Sequence, residues 1–219
     1  MGIRKRNPFA TGPTKDADLK LLEVYSDVIC PWCFIGKRRL DKAILTAGNP
    51  AELQVKWLPF ELNPDTPKEG VDRKRYLLEK YGNIQPMNDR LTKIGELEGI
   101  QFNFEQMERI PNTLNAHRLI WFADQQGMQN NLVDALFKAY FLELKNIGDV
   151  GVLSELAGNS GLKKEVVRNF LESEEAVDVI RREEARAYEA GIHAVPHFAR
   201  NGQHLSGAQP VETLLEFLK

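Results

Sequence analysis

Two cysteines, Cys30 and Cys33, are the residues of this chain whose type and spacing point most directly to chemistry. They are the only cysteines among 219 residues, and they form the motif Cys30-Pro-Trp-Cys33. A thiol reacts as its thiolate, which is favoured where the N–H groups of a helix N-terminus point at it. Pro31 suits the first turn of a helix, because its missing N–H costs nothing there. The motif therefore predicts a redox pair at the start of a helix.

The order of the two cysteines predicts their roles. Cys30 comes first, so it should lie at the tip of the helix, be the more exposed thiol and attack the substrate. Cys33 lies one turn further along and can resolve a mixed disulfide. Pro31 and Trp32 stand between them and are expected to contact the substrate. Trp32 carries no positive charge and does not stabilise a thiolate as a cationic histidine does, which argues against a dedicated oxidase.

Two other readings of the cysteines remain open at this stage. A structural zinc site usually has four ligands, so His193, His197 or His204 would have to complete it. Alternatively, both cysteines are buried and inert. The position of the motif between an apolar strand and a helix favours redox chemistry over both readings, and we expect no metal.

The segments on either side of the motif predict a β-α-β unit. Residues 21–27 are apolar enough for a buried strand, and residues 53–60 form a second one. The apolar residues of the helix between them recur at helical spacing, and Gly48 ends it. Parallel strands of this kind place ligands at their carboxyl ends, where the cysteines lie.

The rest of the chain predicts a long helical block followed by a return to the sheet. Residues 63–173 have helical patterns throughout, with a strand suggested only at 100–104. A helix over 174–190 leads to a short extended segment at 194–199. Asn201-Gly202 is a strong hairpin signal, and a final helix covers 211–218. The predicted order is β-α-β, helical block, α-β-β-α.

Composition excludes several classes of partner. The chain is 42% hydrophobic and 27% charged, with a net charge of -2. This balance gives no reason to expect nucleic acid or an acidic membrane, and no apolar run reaches the roughly 18–20 residues of a membrane span. Arg4, Lys5 and Arg6 are not followed by the apolar stretch of a secretory signal. We therefore expect a cytoplasmic protein.

Several separated motifs resemble one family. The chain is similar to the DsbA-like branch of the thioredoxin superfamily, and within it to the FrnE-type, polyketide isomerase-like proteins, over about residues 21–218. The resemblance rests on Ser26-Asp-Val-Ile-Cys-Pro-Trp-Cys-Phe-Ile-Gly, Asn112-Thr-Leu-Asn-Ala-His-Arg-Leu, Ala135-Leu-Phe-Lys-Ala-Tyr-Phe, Asn146-Ile-Gly-Asp-Val-Gly-Val-Leu, Val195-Pro-His-Phe and Ser206-Gly-Ala-Gln-Pro.

This resemblance implies an α/β thioredoxin fold interrupted by a large all-helical insertion. Residues 21–62 and 174–219 would form the thioredoxin-like domain and 63–173 the insertion, with 1–20 a flexible tail. Cys30 is implied as the nucleophile, Cys33 as the resolving thiol and Pro196 as a cis proline. The backbone of Val195 would then be free to pair with an extended substrate segment.

The implied function is that of a protein disulfide oxidoreductase, more a reductase or isomerase than a strong oxidase. Its partner would be a disulfide-containing protein or a small thiol. Related isomerases and transferases that use glutathione carry serine where Cys30 stands, so a glutathione-dependent isomerase acting on a small aromatic or polyketide-like molecule is the alternative. A non-catalytic binding protein that uses the Val195-Pro196 edge is a third. No tightly bound cofactor is expected, glutathione is a candidate ligand, and the oligomeric state, a dimer included, is left open.

Other polar residues have plainer interpretations. His117 and Arg118 are expected to pack and to carry a solvated charge on a helix, although the resemblance favours residues 112–113 and His117 as borders of the cleft. Residues 37–39 predict a solvated helix face. His197 either tunes Cys30 or faces away from it.

Overall fold

A computed structural model describes residues 20–48 and 53–219 of the chain, so nearly all of the predicted tail lies outside the described residues. Its strands are β1 (Lys20–Ser26), β2 (Leu53–Pro59), β3 (Val71–Asp72), β4 (Arg109–Ile110), β5 (His197–Arg200) and β6 (Gln203–Ser206). Its helices are α1 (Pro31–Ala47), α2 (Arg73–Tyr81), α3 (Gln85–Leu97), α4 (Leu114–Asp124), α5 (Gln129–Phe141), α6 (Val150–Asn159), α7 (Lys164–Glu172), α8 (Val177–Glu189) and α9 (Val211–Leu218).

The main sheet joins the two ends of the chain. Its strand order is β2-β1-β5-β6. The pair β1–β2 is parallel, whereas β1–β5 and β5–β6 are antiparallel. Helices α2 to α7 come between β2 and α8 along the chain. This is the predicted order, β-α-β, helical block, α-β-β-α, and it confirms an α/β fold with a central sheet.

Strand β1 and helix α1 are built as the sequence predicts. Leu22, Val24 and Ser26 alternate as buried residues along β1, which is the period of a strand with one face in the core. Helix α1 has Pro31 in its first turn and ends at Gly48, whose φ of +76° is left-handed. Glycine takes up that conformation without the steric cost of a Cβ.

An aromatic cluster fixes α1 to the helical block. Phe34, the residue after Cys33, stacks on Phe137 and Phe141 of α5 with ring centroids 5.1 and 5.9 Å apart. All three side chains are almost completely buried. Burying an aromatic side chain removes a large apolar area from water, so the helix that carries the cysteines shares one core with the insertion. No helix of the described ranges is both long and apolar enough to cross a membrane.

One predicted strand is wrong. Residues 100–104 do not pair in a sheet, and a 3-10 turn follows at Phe104–Gln106. Phe102 and Phe104 instead stack on each other, and both contact Phe141 edge-on. The apolar residues are thus explained by an aromatic cluster. The short sheet of this region is β3–β4, which the sequence did not suggest.

A glycine lets α1 approach the start of β5. A Cβ built on Gly36 would lie 2.8 Å from Cγ of Pro196 and 3.6 Å from the ring of Phe198. Real Cβ atoms do not come that close to a carbon atom, so even a methyl group would push α1 and Pro196 apart. Gly36 therefore sets how closely the redox motif approaches the Val195-Pro196 loop.

This close packing gives a stability prediction. Gly36→Ala should lower the free energy of unfolding by about 1–3 kcal/mol, the usual cost of overpacking a core, and should slow thiol exchange at Cys30. Gly158→Ala in α6 is the matched control, since its Cβ would meet only Lys164 at an ordinary 3.6 Å. Chemical denaturation should find that variant as stable as the parent or up to about 1 kcal/mol more stable. Equal stabilities for the two variants would contradict the account.

Candidate active site

The turn between β1 and α1 places Cys30 at the helix N-terminus. The Cys30 N–H donates to the carbonyl of Asp27 at 3.0 Å, which closes the turn. The Cys30 carbonyl then accepts from the N–H groups of Cys33 at 3.0 Å and Phe34 at 3.3 Å. Cys30 is thus the residue that caps α1. The positive end of the helix dipole faces it, a setting that favours negative charge.

The two thiols differ in their surroundings. Both cysteines are free, and Cys30 is 4% exposed whereas Cys33 is 0% exposed. Burial raises the pKa of the Cys33 thiol well above its ordinary value, and the neighbouring Cys30 adds to this. The side chain of Ser26 and the backbone of Asp27 oppose the rise without cancelling it. Cys30 is therefore the slightly more exposed of two buried thiols, and its role as nucleophile stays a prediction.

The Val195-Pro196 loop lies against Cys30. The Cys30 thiol donates to the carbonyl of Val195, with Sγ and O 3.8 Å apart. The peptide bond between Val195 and Pro196 is cis, as the resemblance implies. The Pro196 carbonyl accepts from the N–H of Gly207 at 2.8 Å, which ties the loop to the end of β6. Residues far apart in the sequence thus meet at one point.

A cavity of about 390 Å³ adjoins the motif. Cys30, Pro31, Trp32 and Val195 line one part of it. Most of the rest is apolar or aromatic and comes from α2, α3, α5, β4 and the chain before β4: Tyr76, Leu77, Met87, Leu91, Phe104, Met107, Ile110, Tyr140 and Phe141. The volume lies in the range of small-molecule pockets. The predicted nucleophile therefore faces a pocket that the helical block largely builds.

A positive charge lies close to the uncharged side chain of Trp32. The guanidinium of Arg90 lies 5.7 Å from the centroid of the Trp32 ring. This is the distance of a cation–π contact. Positive charge therefore reaches the residue between the cysteines from α3, which the motif alone did not indicate.

Asp27 organises the turn before Cys30 and was not singled out from the sequence. Its side chain is completely buried. Its carboxylate accepts from the Leu62 N–H at 2.8 Å and from the Ile29 N–H at 3.4 Å, and Nε2 of His117 lies 3.4 Å from it. Burial alone would lower the pKa of His117, but the bond to Asp27 and its charge outweigh this and raise it. The Asp27 carboxylate thus favours protonation of His117 more than an ordinary environment does.

A second buried carboxylate continues this cluster. Glu61 accepts from the Arg181 guanidinium at 2.6 Å, and its N–H donates to Glu184 at 2.9 Å. Burial raises the pKa of Glu61 to about 7; the charges of His117 and Arg181 oppose the rise and that of Glu184 adds to it. The sequence does carry a signal for both carboxylates, because an acidic residue lies at the end of each predicted parallel strand. Asp27 is the last residue of 21–27, and Glu61 directly follows 53–60.

The residues that the resemblance associates with the cleft lie elsewhere. Residues 112–113 and His117 do not line the cavity beside Cys30. Asn112 donates to the Thr66 carbonyl at 2.7 Å, and Thr113 donates to Glu61 at 3.5 Å. His117 lies 3.4 Å from Asp27, three residues before Cys30. These contacts support the chain behind the motif, so the packing expected of His117 describes it, and the cavity border that the resemblance favours does not include these residues.

Two predicted solvated charges are also wrong. Arg118 is 2% exposed and donates to the carbonyls of Phe170, Leu171 and Ser173, where it satisfies groups at the end of α7. Lys37 is also 2% exposed; it pairs with Asp41 at 2.8 Å and lies 5.9 Å from the Trp57 ring. In both cases tertiary packing covers a side chain that local pattern assigns to the surface.

Of the three histidines in the zinc reading, one lines the cavity and the other two face each other. His193 lines the cavity. His197 faces His204 on the neighbouring strand, with Nε2 and Nδ1 2.9 Å apart. Of the two alternatives for His197, the structure therefore shows the one in which it faces away from Cys30.

Comparison with known proteins shows the family to which the chain belongs. Residues 21–219 match the model of the DsbA-like thioredoxin domain, and the chain belongs to that family. An uncharacterised protein, YwbO of Bacillus subtilis, is 34% identical over 193 residues, which are 85% of this chain and 90% of that protein. Members of the family include thiol-disulfide oxidoreductases.

Solved structures show the same fold. A probable DsbA oxidoreductase from Streptomyces coelicolor superposes with a TM-score of 0.84 at 30% identity, covering 91% of this chain and 88% of that one. The cytosolic disulfide reductase DsbM from Pseudomonas aeruginosa, in a structure with glutathione, gives a TM-score of 0.66 at 19% identity, covering 90% and 96%.

The buried carboxylate of Glu61 predicts a pH dependence of stability. Its folded pKa of about 7 lies above the ordinary 4.5, so its contribution to stability is complete below pH 4.5 and is lost as the pH rises through 7. Glu61→Gln should reduce the fall in unfolding free energy between pH 5 and 7.5 by about 2 kcal/mol. Urea denaturation at several pH values measures this. Glu69→Gln, at an exposed carboxylate, is the control and should leave the slope unchanged; a parent-like slope in Glu61→Gln would refute the assignment.

Proposed function

We propose that the chain is a thiol-disulfide oxidoreductase in which Cys30 is the nucleophile and Cys33 the resolving thiol. The observation that carries the proposal is the position of Cys30. It caps α1, faces the cavity and lies 3.8 Å from the Val195 carbonyl, with Cys33 buried one turn behind it. Membership of the DsbA-like family supports the same chemistry.

The reaction proceeds in two displacements. The Cys30 thiolate attacks one sulfur of a substrate disulfide, forms a mixed disulfide and releases the other substrate sulfur as a thiolate. Cys33 then loses its proton and attacks Sγ of Cys30, which forms the Cys30–Cys33 disulfide and releases the second substrate thiolate. Two electrons pass from the protein to the substrate. Because the pKa of Cys33 is raised, the second displacement is expected to be the slower step.

Reduction or isomerisation is the favoured direction. The strongly oxidising members of this fold owe their potential to a stabilised reduced form. Here the residue before Cys33 is Trp32, whose own side chain is uncharged and does not stabilise a thiolate as a cationic histidine does. A cytoplasmic location, which we propose as well, would keep the pair reduced. Similarity to a cytosolic disulfide reductase is compatible with this direction.

Pro31, Trp32 and Val195 are proposed as the substrate-contacting residues, with Pro196 shaping the same edge. All but Pro196 line the cavity together with Cys30. Pro196 packs against Gly36 instead. A disulfide held in the cavity would therefore meet the nucleophile and the Val195 backbone at once.

A glutathione-dependent isomerase or transferase is the second candidate. The cavity beside Cys30 favours it, because a mostly apolar lining can accommodate a small aromatic substrate. Isothermal titration of the reduced protein with glutathione tests this candidate. Heat of binding with a defined stoichiometry would support it, and no binding at millimolar glutathione would exclude it.

The oxidoreductase proposal predicts different defects for the two cysteines. Cys30→Ser should lower the rate of insulin reduction, or of disulfide exchange with a peptide, by about 100-fold or more, because the nucleophile is lost. Cys33→Ser should still attack but accumulate the mixed disulfide, which mass spectrometry detects. It is the matched control, since it removes a buried sulfur from the same turn. Unchanged activity in Cys30→Ser would overturn the proposal and leave a binding protein that uses the Val195-Pro196 edge.

A further inference from the structure

A buried arginine forms part of the wall of the cavity. Arg73, the first residue of α2, lines it and is 8% exposed. Its guanidinium donates to the Phe104 carbonyl at 3.3 Å and to the Asn88 amide oxygen at 3.5 Å. It also lies 5.3 Å from the centroid of the Phe104 ring. Arginine has five N–H donors, so two long hydrogen bonds leave it poorly satisfied.

This guanidinium makes no salt bridge within the described ranges. No carboxylate oxygen there lies within 4.0 Å of it, and the charge of Glu105 acts on it from further away. Arg118 offers a contrast, since it too is buried without a carboxylate but donates to four backbone carbonyls and to Asn115, at 2.7 to 3.1 Å. A buried charge that lacks both a counter-ion and a full set of hydrogen bonds is costly. Arg73 thus differs from an arginine whose role is structural.

The other residues around the cavity do not compensate this charge. None of its lining residues is aspartate or glutamate. Lys80 adds a second positive charge at an exposed position, where it donates to Asn63 and Tyr76. Apart from a few polar groups, the rest of the lining is apolar or aromatic. The cavity is therefore an apolar pocket with uncompensated positive charge and a nucleophilic thiol.

We propose that this cavity selects small organic disulfides that have an apolar body and a carboxylate, with the carboxylate bound by Arg73 and the disulfide presented to Cys30. The inference rests on the proposed function and names its substrate class. A carboxylate matches the planar fork of a guanidinium and supplies the missing counter-charge. The cavity volume of about 390 Å³ suits a small molecule. Arg73 is then a specificity-determining residue.

Two aromatic disulfides that differ in charge provide the test. The anionic probe is 5,5′-dithiobis(2-nitrobenzoate), and the neutral probe is 4,4′-dithiodipyridine. Each reacts with the dithiol protein to give the Cys30–Cys33 disulfide and two probe thiols, so that two electrons leave the protein and both probe sulfurs are reduced. Stopped-flow absorbance gives each rate, which is divided by the rate of the same probe with free cysteine. The readout is the ratio of the normalised anionic rate to the normalised neutral rate.

The parent protein should prefer the anionic probe, and Arg73→Met should lower the ratio by about tenfold or more, the usual weight of a charge-assisted contact. Arg73→Lys should retain part of the preference. Arg75→Met is the matched control, because Arg75 lies on the same helix as Arg73 but is exposed, pairs with Glu79 and does not line the cavity. Its ratio should stay within about twofold of the parent, the size of a screened surface effect. A ratio that is unchanged in Arg73→Met, or equally reduced in Arg75→Met, would overturn the inference.

A measurement on the unmodified protein guards against a variant that does not fold. The anion 3-phenylpropionate should slow the reaction with the neutral probe, whereas its uncharged amide should not. Equal protection by both compounds, or none, would overturn the inference. The proposed function and the inference are distinguished by different results. The proposed function requires that Cys30 react with both probes, whatever their charge. A parent that reacts readily with both probes at equal normalised rates would keep the proposed function and remove the selectivity.

Discussion

The contact between the first turns of α1 and the loop before β5 is the constraint on which the site depends. Gly36 leaves room for Pro196, and the Cys30 thiol meets the Val195 carbonyl at 3.8 Å. Strand β1, which leads into Cys30, pairs directly with β5, which follows Pro196. The sheet thus brings together two segments separated by the whole helical block. Without that pairing the cysteines would remain a local motif, with no Val195-Pro196 loop beside them.

The helical block provides the chemical environment of the motif. Phe34 is held by Phe137 and Phe141, and neighbouring parts of the block wall the cavity. Charges are divided between two regions. The carboxylates of Asp27 and Glu61 lie within 4.0 Å of His117 and Arg181, whereas Arg73 in the cavity wall has no carboxylate within that distance among the described residues. Under the proposal made above, this asymmetry lets the cavity favour one class of disulfide.

Local signals determined what could be predicted from the sequence. The strand before Cys30, the helix that starts at Pro31 and the hairpin at Asn201-Gly202 all follow from neighbouring residues, and all are present. The burial of a charge does not follow in this way, because it depends on which distant elements cover it. The sequence therefore predicts a solvated Arg118 where the structure has a buried one. It also does not distinguish Arg73 from the other charges near the start of its helix.

The reduction potential of the Cys30–Cys33 pair tests the central claim most directly. Equilibration of the protein with mixtures of reduced and oxidised glutathione, followed by acid quenching and mass spectrometry, gives its value. We predict a potential between about -180 mV, the value of protein disulfide isomerase, and about -270 mV, the value of thioredoxin. A value near about -120 mV, that of a dedicated oxidase, would contradict a reducing or isomerising role.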